Sequence, residues 1–167
     1  MKRCFLLFVV LSITLLVSLC SCATVPAEKI SPLTWEVYFS PNGGCTDAIV
    51  RELDKAQGTV LVQAYSFTSY KIAKALLDAH KRGVKVDIIL DKSQKSDQYS
   101  SADFLANSGM SVKIDSLHAI AHNKVMIIDG ETVITGSFNF TKAAEENNAE
   151  NLLVIHDRKL AEQYTKN

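Results

Sequence analysis

His122-Asn123-Lys124-Val125-Met126-Ile127-Ile128-Asp129-Gly130-Glu131-Thr132-Val133-Ile134-Thr135-Gly136-Ser137-Phe138-Asn139 is the stretch on which the reading of this chain turns. Two apolar runs flank Asp129-Gly130, a dipeptide suited to a tight hairpin. The expected element is a pair of strands, His122 to Ile128 and Thr132 to Thr135. Its open end carries an imidazole, an ammonium, a hydroxyl and a carboxamide, a set that suits a phosphodiester.

Strand geometry sorts these residues. Side chains two apart share a face, so His122 and Lys124 are expected to point together and Asp129 to the other side. Seven strand residues put Asp129 roughly 23 Å from His122, too far to orient it. Asp129 is therefore read as structural, holding the connection at Gly130 or pairing with a cation. Ser137 and Asn139 are again two apart, and the returning strand brings them beside His122 and Lys124. Lys124, Ser137 and Asn139 are the expected phosphate-binding groups. Gly136 is expected to let the backbone come close to a ligand.

The spacing H-x-K-x4-D-x6-G-S-x-N resembles the HKD signature of the phospholipase D superfamily. The run from His122 to Glu150 looks most like the small bacterial endonucleases of that superfamily, which carry one copy of the motif. His122 is the candidate nucleophile, attacking phosphorus in line to form a phosphohistidine that water then hydrolyses. Its other ring nitrogen needs an acceptor. Glu150, thirteen residues after Ser137, resembles the glutamate of the single-motif nucleases and is the expected partner. Glu145 and Glu146 rank below it, in an expected solvated turn.

The leaving alkoxide needs a proton donor. His118 lies awkwardly close along the chain, His80 sits at a helix C-terminus, and His156 is expected at the surface. A second copy of His122 from another subunit is the simpler donor, since the single-motif nucleases dimerise. The resemblance thus implies a homodimeric, metal-independent phosphodiesterase without a cofactor, Lys124 and its symmetry mate neutralising the phosphate. No CxxC or HExxH spacing suggests a metal site.

Outside the motif, Lys2 and Arg3 precede an uncharged apolar run from Cys4 to Cys20. This reads as a secretory signal at 1–22, followed by a Pro-containing tether at 23–33. Leu19-Cys20-Ser21-Cys22 looks like a bacterial lipobox with Cys22 as the lipidated residue. Simple cleavage after Ala23 and an uncleaved anchor are the alternatives. The expected location is exported: a periplasmic or outer-membrane lipoprotein, or a secreted protein.

The whole chain balances 18 basic against 18 acidic residues. Bulk charge therefore does not announce a nucleic-acid binder, and any electropositive surface must be local. Cys45 is the lone cysteine of the body and is read as a small buried residue.

Strands alternate with helices from Trp35 onward. Ser69 is expected to cap a helix ended by Gly83, and Thr46 or Asp47 to cap an earlier one running to Gln57. Thr59 to Phe67 and Val84 to Leu90 read as buried strands, and Ser93 to Ser101 as loop. The fold expected for 34–167 is a single-domain α/β sandwich, with a mixed central sheet and helices on both faces.

DNA, with RNA as an extension, is the expected substrate. Lys71, Lys74, Lys81, Arg82, Lys92 and Lys95 are candidates to track its backbone, and Tyr65, Phe67, Tyr70 and Phe138 are candidates to stack its bases. Membrane phosphodiesters such as cardiolipin are the alternative substrate. A catalytically silent nucleic-acid-binding module is a third reading.

Overall fold

The computed structural model describes residues 33–96 and 100–167. The expected signal segment at 1–22 with its Cys22, and the tether up to residue 32, lie outside the described residues.

Seven strands form one sheet in the order β1-β7-β6-β5-β2-β3-β4. They are β1 (Thr34–Ser40), β2 (Thr59–Ala64), β3 (Lys85–Asp91), β4 (Ser111–Asp115), β5 (Lys124–Ile128), β6 (Thr132–Gly136) and β7 (Glu150–His156). Strands β2, β3 and β4 run parallel, and every other neighbouring pair is antiparallel. The sheet is therefore mixed, as the motif hairpin next to βαβ-type crossovers requires.

The helices are α1 (Cys45–Lys55), α2 (Tyr70–Lys81), α3 (Ala102–Asn107), α4 (Lys142–Glu146) and α5 (Arg158–Lys166). Alternation along the strands divides their side chains between two cores. Val60, Val62, Ile88, Leu90, Met126 and Ile134 pack with Ile49, Leu53, Ile72 and Leu76 of α1 and α2. On the other face Val125, Ile127 and Val133 pack under Ala161, Leu160 and Tyr164 of α5. Helices thus cover both faces. Cys45 is fully buried, and loss of hydration pushes its thiol pKa up to about 11.

Ser69 caps α2 by accepting the Ile72 N–H, as expected. Helix α1, however, has no side-chain cap of its own. Glu145 supplies it from α4, accepting the Gly44 and Thr46 N–H groups at 3.1 and 2.6 Å. A carboxylate at a helix N-terminus satisfies orphan donors and meets the positive end of the dipole. Glu145 is accordingly half-buried and engaged, not solvated. β2 ends at Ala64, and Phe67 makes only an isolated bridge to Phe140.

β5 begins at Lys124, so His122 stands ahead of the strand and not within it. Polar clasps hold the preceding segment away from the ladder. Asp91, 3% exposed, accepts the Ala121 N–H at 2.7 Å. Asp115 accepts the Leu117 and His118 N–H groups at 2.8 and 3.1 Å.

Candidate active site

The registers place Leu90, Ala64, Lys124, Gly136, Leu152 and Tyr38 in one row across the sheet. Most of these neighbours are paired directly, and two further steps of the β5–β6 register set Lys124 opposite Gly136. The row closes one end of the sheet on the α1–α2 face. Lys124 consequently lies on the rim of the main core and is 7% exposed. Its Nζ donates to the His122 carbonyl oxygen at 2.7 Å and sits 5.0 Å from the centre of the Tyr65 ring. Burial lowers the pKa of Lys124, partly offset by the negative charge of Glu150.

His122 is exposed. Its ring lies 4.5 Å from that of Tyr65, centroid to centroid, with the planes tilted by 59°. Tyr65 is therefore shared by the imidazole and the ammonium. Sequence reasoning placed it only among stackers of bases. Its place beside the motif follows from its position directly after β2, whose last residue pairs with Lys124. Of the other aromatic candidates, Phe67 and Phe138 are fully buried core residues and Tyr70 is 68% exposed.

Ser137 is exposed, and its Oγ accepts the Asn151 N–H at 3.1 Å. Asn139 is half-buried, with an Oδ1 that is fully buried and has no hydrogen-bond partner. Buried polar atoms are rarely left unsatisfied, and among the described residues the only other such side-chain atom is His80 Nδ1. Gly136 is required by the neighbouring strand. A Cβ there would come 2.3 Å from the Asn151 carbonyl oxygen, and its φ is +147°.

Glu150 opens β7 as anticipated. Its Oε1 accepts from Asn148 Nδ2 at 3.3 Å, and its charge acts on Lys124. The structure does not bring it into a hydrogen bond with the His122 ring.

Asp129 is elsewhere, at the far turn of the hairpin, with φ +54° followed by Gly130 at +64°. Its carboxylate accepts the N–H groups of Gln57, Gly58 and Thr59 at 2.9, 2.7 and 2.9 Å. Burial opposes its ionisation, but these donors outweigh it and hold the pKa below the usual carboxylate range.

The remaining histidines have their own settings. His118 Nδ1 lies 2.7 Å from Asp115. His156 pairs with Thr132 at the Asp129 end of the sheet, 2.9 Å from its Oγ1. His80 ends α2. Among the expected backbone-tracking cations, Lys74 is paired with Asp78, Arg82 donates to the Leu53 carbonyl, and Lys92 donates to that of His118. Of these three, only Lys92 thereby contacts the segment leading to His122. Among the described residues no cluster of three or more His, Cys, Asp or Glu side chains could hold a metal ion.

A sheet whose end gathers an imidazole, a lysine and hydroxyl and amide groups defines a phosphodiesterase of HKD type. Comparison with known proteins agrees. Residues 49–167 match the family model described as cardiolipin synthase, PLD-like domain. The chain is 48% identical over 140 residues to a phospholipase D of Rickettsia prowazekii, covering 84% of this chain and 68% of that one.

Among solved structures it superposes on Nuc of Salmonella typhimurium, a phospholipase D family member, with a TM-score of 0.77 and 43% identity. That match covers 81% of this chain and 91% of the other. NucT of Helicobacter pylori gives 0.75 and 26% identity, covering 81% and 92%. The chain belongs to the phospholipase D superfamily, in its single-domain form, and is a hydrolase of phosphodiester bonds.

Proposed function

We propose that the protein is an endonuclease that cleaves DNA, and RNA by extension, through a phosphohistidine on His122. The observation that carries this reading is the setting of His122: an exposed imidazole at an open sheet end, flanked by the Tyr65 ring and by Asn123. Flat aromatic and carboxamide neighbours suit a polynucleotide better than an acyl chain. The near-complete coverage of Nuc and NucT supports the same single-domain plan.

In the mechanism, the neutral imidazole of His122 attacks phosphorus as the P–O bond to the leaving group breaks. Lys124 stays protonated and neutralises charge on the non-bridging oxygens. Ser137 donates its hydroxyl proton to one such oxygen. A 180° turn of the Asn139 amide puts its Nδ2 donor at the orphaned position, where a phosphate oxygen would satisfy it.

The leaving oxygen takes its proton from the His122 of a second subunit, which then acts as base toward the attacking water. Each subunit alone holds one such ring, so the reading requires a homodimer. Glu150 is assigned to hold the imidazole once substrate is bound, since catalytic hydrogen bonds tighten in the complex. Export as a lipoprotein anchored through Cys22, or as a secreted protein, is part of the same reading.

Hydrolysis of membrane phosphodiesters is the second reading. Leu117 and Ile120, 91% and 61% exposed, stand in the loop just before His122, where they could enter a bilayer surface. The curated relative from Rickettsia also carries the name phospholipase D.

Cleavage of single- and double-stranded DNA in excess chelator, beside headgroup release from cardiolipin vesicles, separates the two. DNA cut and vesicles intact are expected. The reverse result removes the nuclease assignment, and a fully active monomer removes the shared site.

A further inference from the structure

Directly beside the His122 segment, on the α5 face of the sheet, lies a cavity of about 210 Å3. It is lined by Gln63, Asn123, Val125, Gln163, Tyr164 and Asn167. Four of these six carry carboxamides, one is aromatic, and none has a charged side chain. Asn123 Nδ2 donates to Gln63 Oε1 at 2.8 Å, which fixes the orientation of both amides. Val125 is buried and forms an apolar wall. Tyr164 is half-buried against the smaller core, so its ring is held.

We propose that this cavity is a nucleobase subsite, taking the base of a nucleotide next to the scissile phosphate. The inference rests on the nucleic-acid reading above and deepens it. A carboxamide offers a donor and an acceptor side by side, which matches the edge of a base. An adjacent aromatic ring supplies a stacking surface that any base can use. The volume is small against a site for a drug-sized ligand and suits one ring system.

The position fits as well. Asn123 follows the nucleophile directly, and consecutive Cα atoms are about 3.8 Å apart. Lys124 faces the α1–α2 core, whereas Val125 faces α5. Asn123 shares the parity of Val125 and lines the same cavity. Because His122 stands ahead of β5, a polynucleotide laid over the start of that strand meets both sides. Its phosphate reaches Lys124 and its base drops toward Asn123.

The test compares two single-stranded hexanucleotides of equal charge, one normal and one abasic throughout, binding to the His122→Ala protein. That background leaves both strands uncut. The normal strand is expected to bind about ten-fold more tightly. Gln163→Ala and Gln63→Met should each remove most of that advantage while leaving abasic binding as it was. Gln163 is exposed on α5, so its variant does not endanger the fold.

Equal binding of the two strands, or an advantage unchanged in both variants, overturns the subsite even if the wild-type protein cuts DNA. If neither strand binds and the wild-type protein cuts no DNA, the nuclease reading falls and the subsite with it. Glycerol 3-phosphate serves as the lipid-derived control. Competition by it against the normal strand that is lost in Gln163→Ala would reassign the cavity to a headgroup.

Discussion

The Tyr65 ring touches both the imidazole of His122 and, at 5.0 Å from its centre, the ammonium of Lys124. One residue therefore contacts both groups proposed to handle phosphate. Tyr65→Phe keeps the ring and should retain kcat within about three-fold. Tyr65→Leu should lower kcat by at least ten-fold with little change in KM, because positioning is lost and not affinity. Steady-state kinetics on a short oligonucleotide reads this directly. Equal kcat in the Leu variant would leave the ring contact without a role in turnover.

His122→Ala should abolish turnover. The side chain is exposed, so stability should change by only about 0.5 kcal/mol. Activity assays paired with a thermal melt check both halves. Activity surviving in a folded variant would remove His122 as nucleophile.

Lys124 titrates below the ordinary lysine range, because burial disfavours its charged form. Between its folded and unfolded pKa values the unfolded chain binds more protons, so this residue's contribution to stability rises with pH in that window. Activity is expected to follow the opposite course there, because the ammonium proposed to hold phosphate is being lost. Glu150 favours the charge, so Glu150→Gln should move the alkaline limb of the pH–rate profile to lower pH. An unmoved alkaline limb would mean that Lys124 does not set it.

Asp129→Ala strips three backbone N–H groups of their acceptor. A cost of about 2–4 kcal/mol is expected, or roughly 5–10 °C in Tm, with near-normal turnover in the folded fraction. The depressed pKa makes a second statement. The stabilisation is present above the unfolded carboxylate pKa and is lost as pH falls through the folded value. The Tm difference between wild type and Asp129→Ala should therefore shrink in acid.

Gly136→Ala would drive a methyl group into the Asn151 carbonyl and impose a left-handed φ on an L-residue. A destabilisation of about 2 kcal/mol or more is expected. A melt unchanged from wild type would contradict the register of β6 and β7.

Much of the architecture was legible because the apolar runs on either side of Asp129-Gly130 and the cap at Ser69 are local signals. What escaped was held by contacts far apart in sequence. Residues 121–123 carry no mark that Asp91 will pull Ala121 out of the ladder and release His122 from the strand. The capping of α1 by Glu145 joins residues 99 and 101 apart. Tyr65 looked like any aromatic within the expected strand from Thr59 to Phe67 until the β2–β5 register set it beside the motif. The placement of Lys124 across from Gly136, and so of Ser137 just beyond it, was readable because two strands and a tight turn suffice to set that register.

Asp129 leaves a lasting mark on how such chains should be recognised. Its oxygens lash the motif hairpin to the α1–β2 turn, at the opposite end of the sheet from the chemistry. The motif therefore records two separate histories, one of reactivity and one of shape. A descendant that gave up hydrolysis while keeping its form would be expected to discard the histidine first and the aspartate last. An intact aspartate in a degenerate copy would then testify to folding alone.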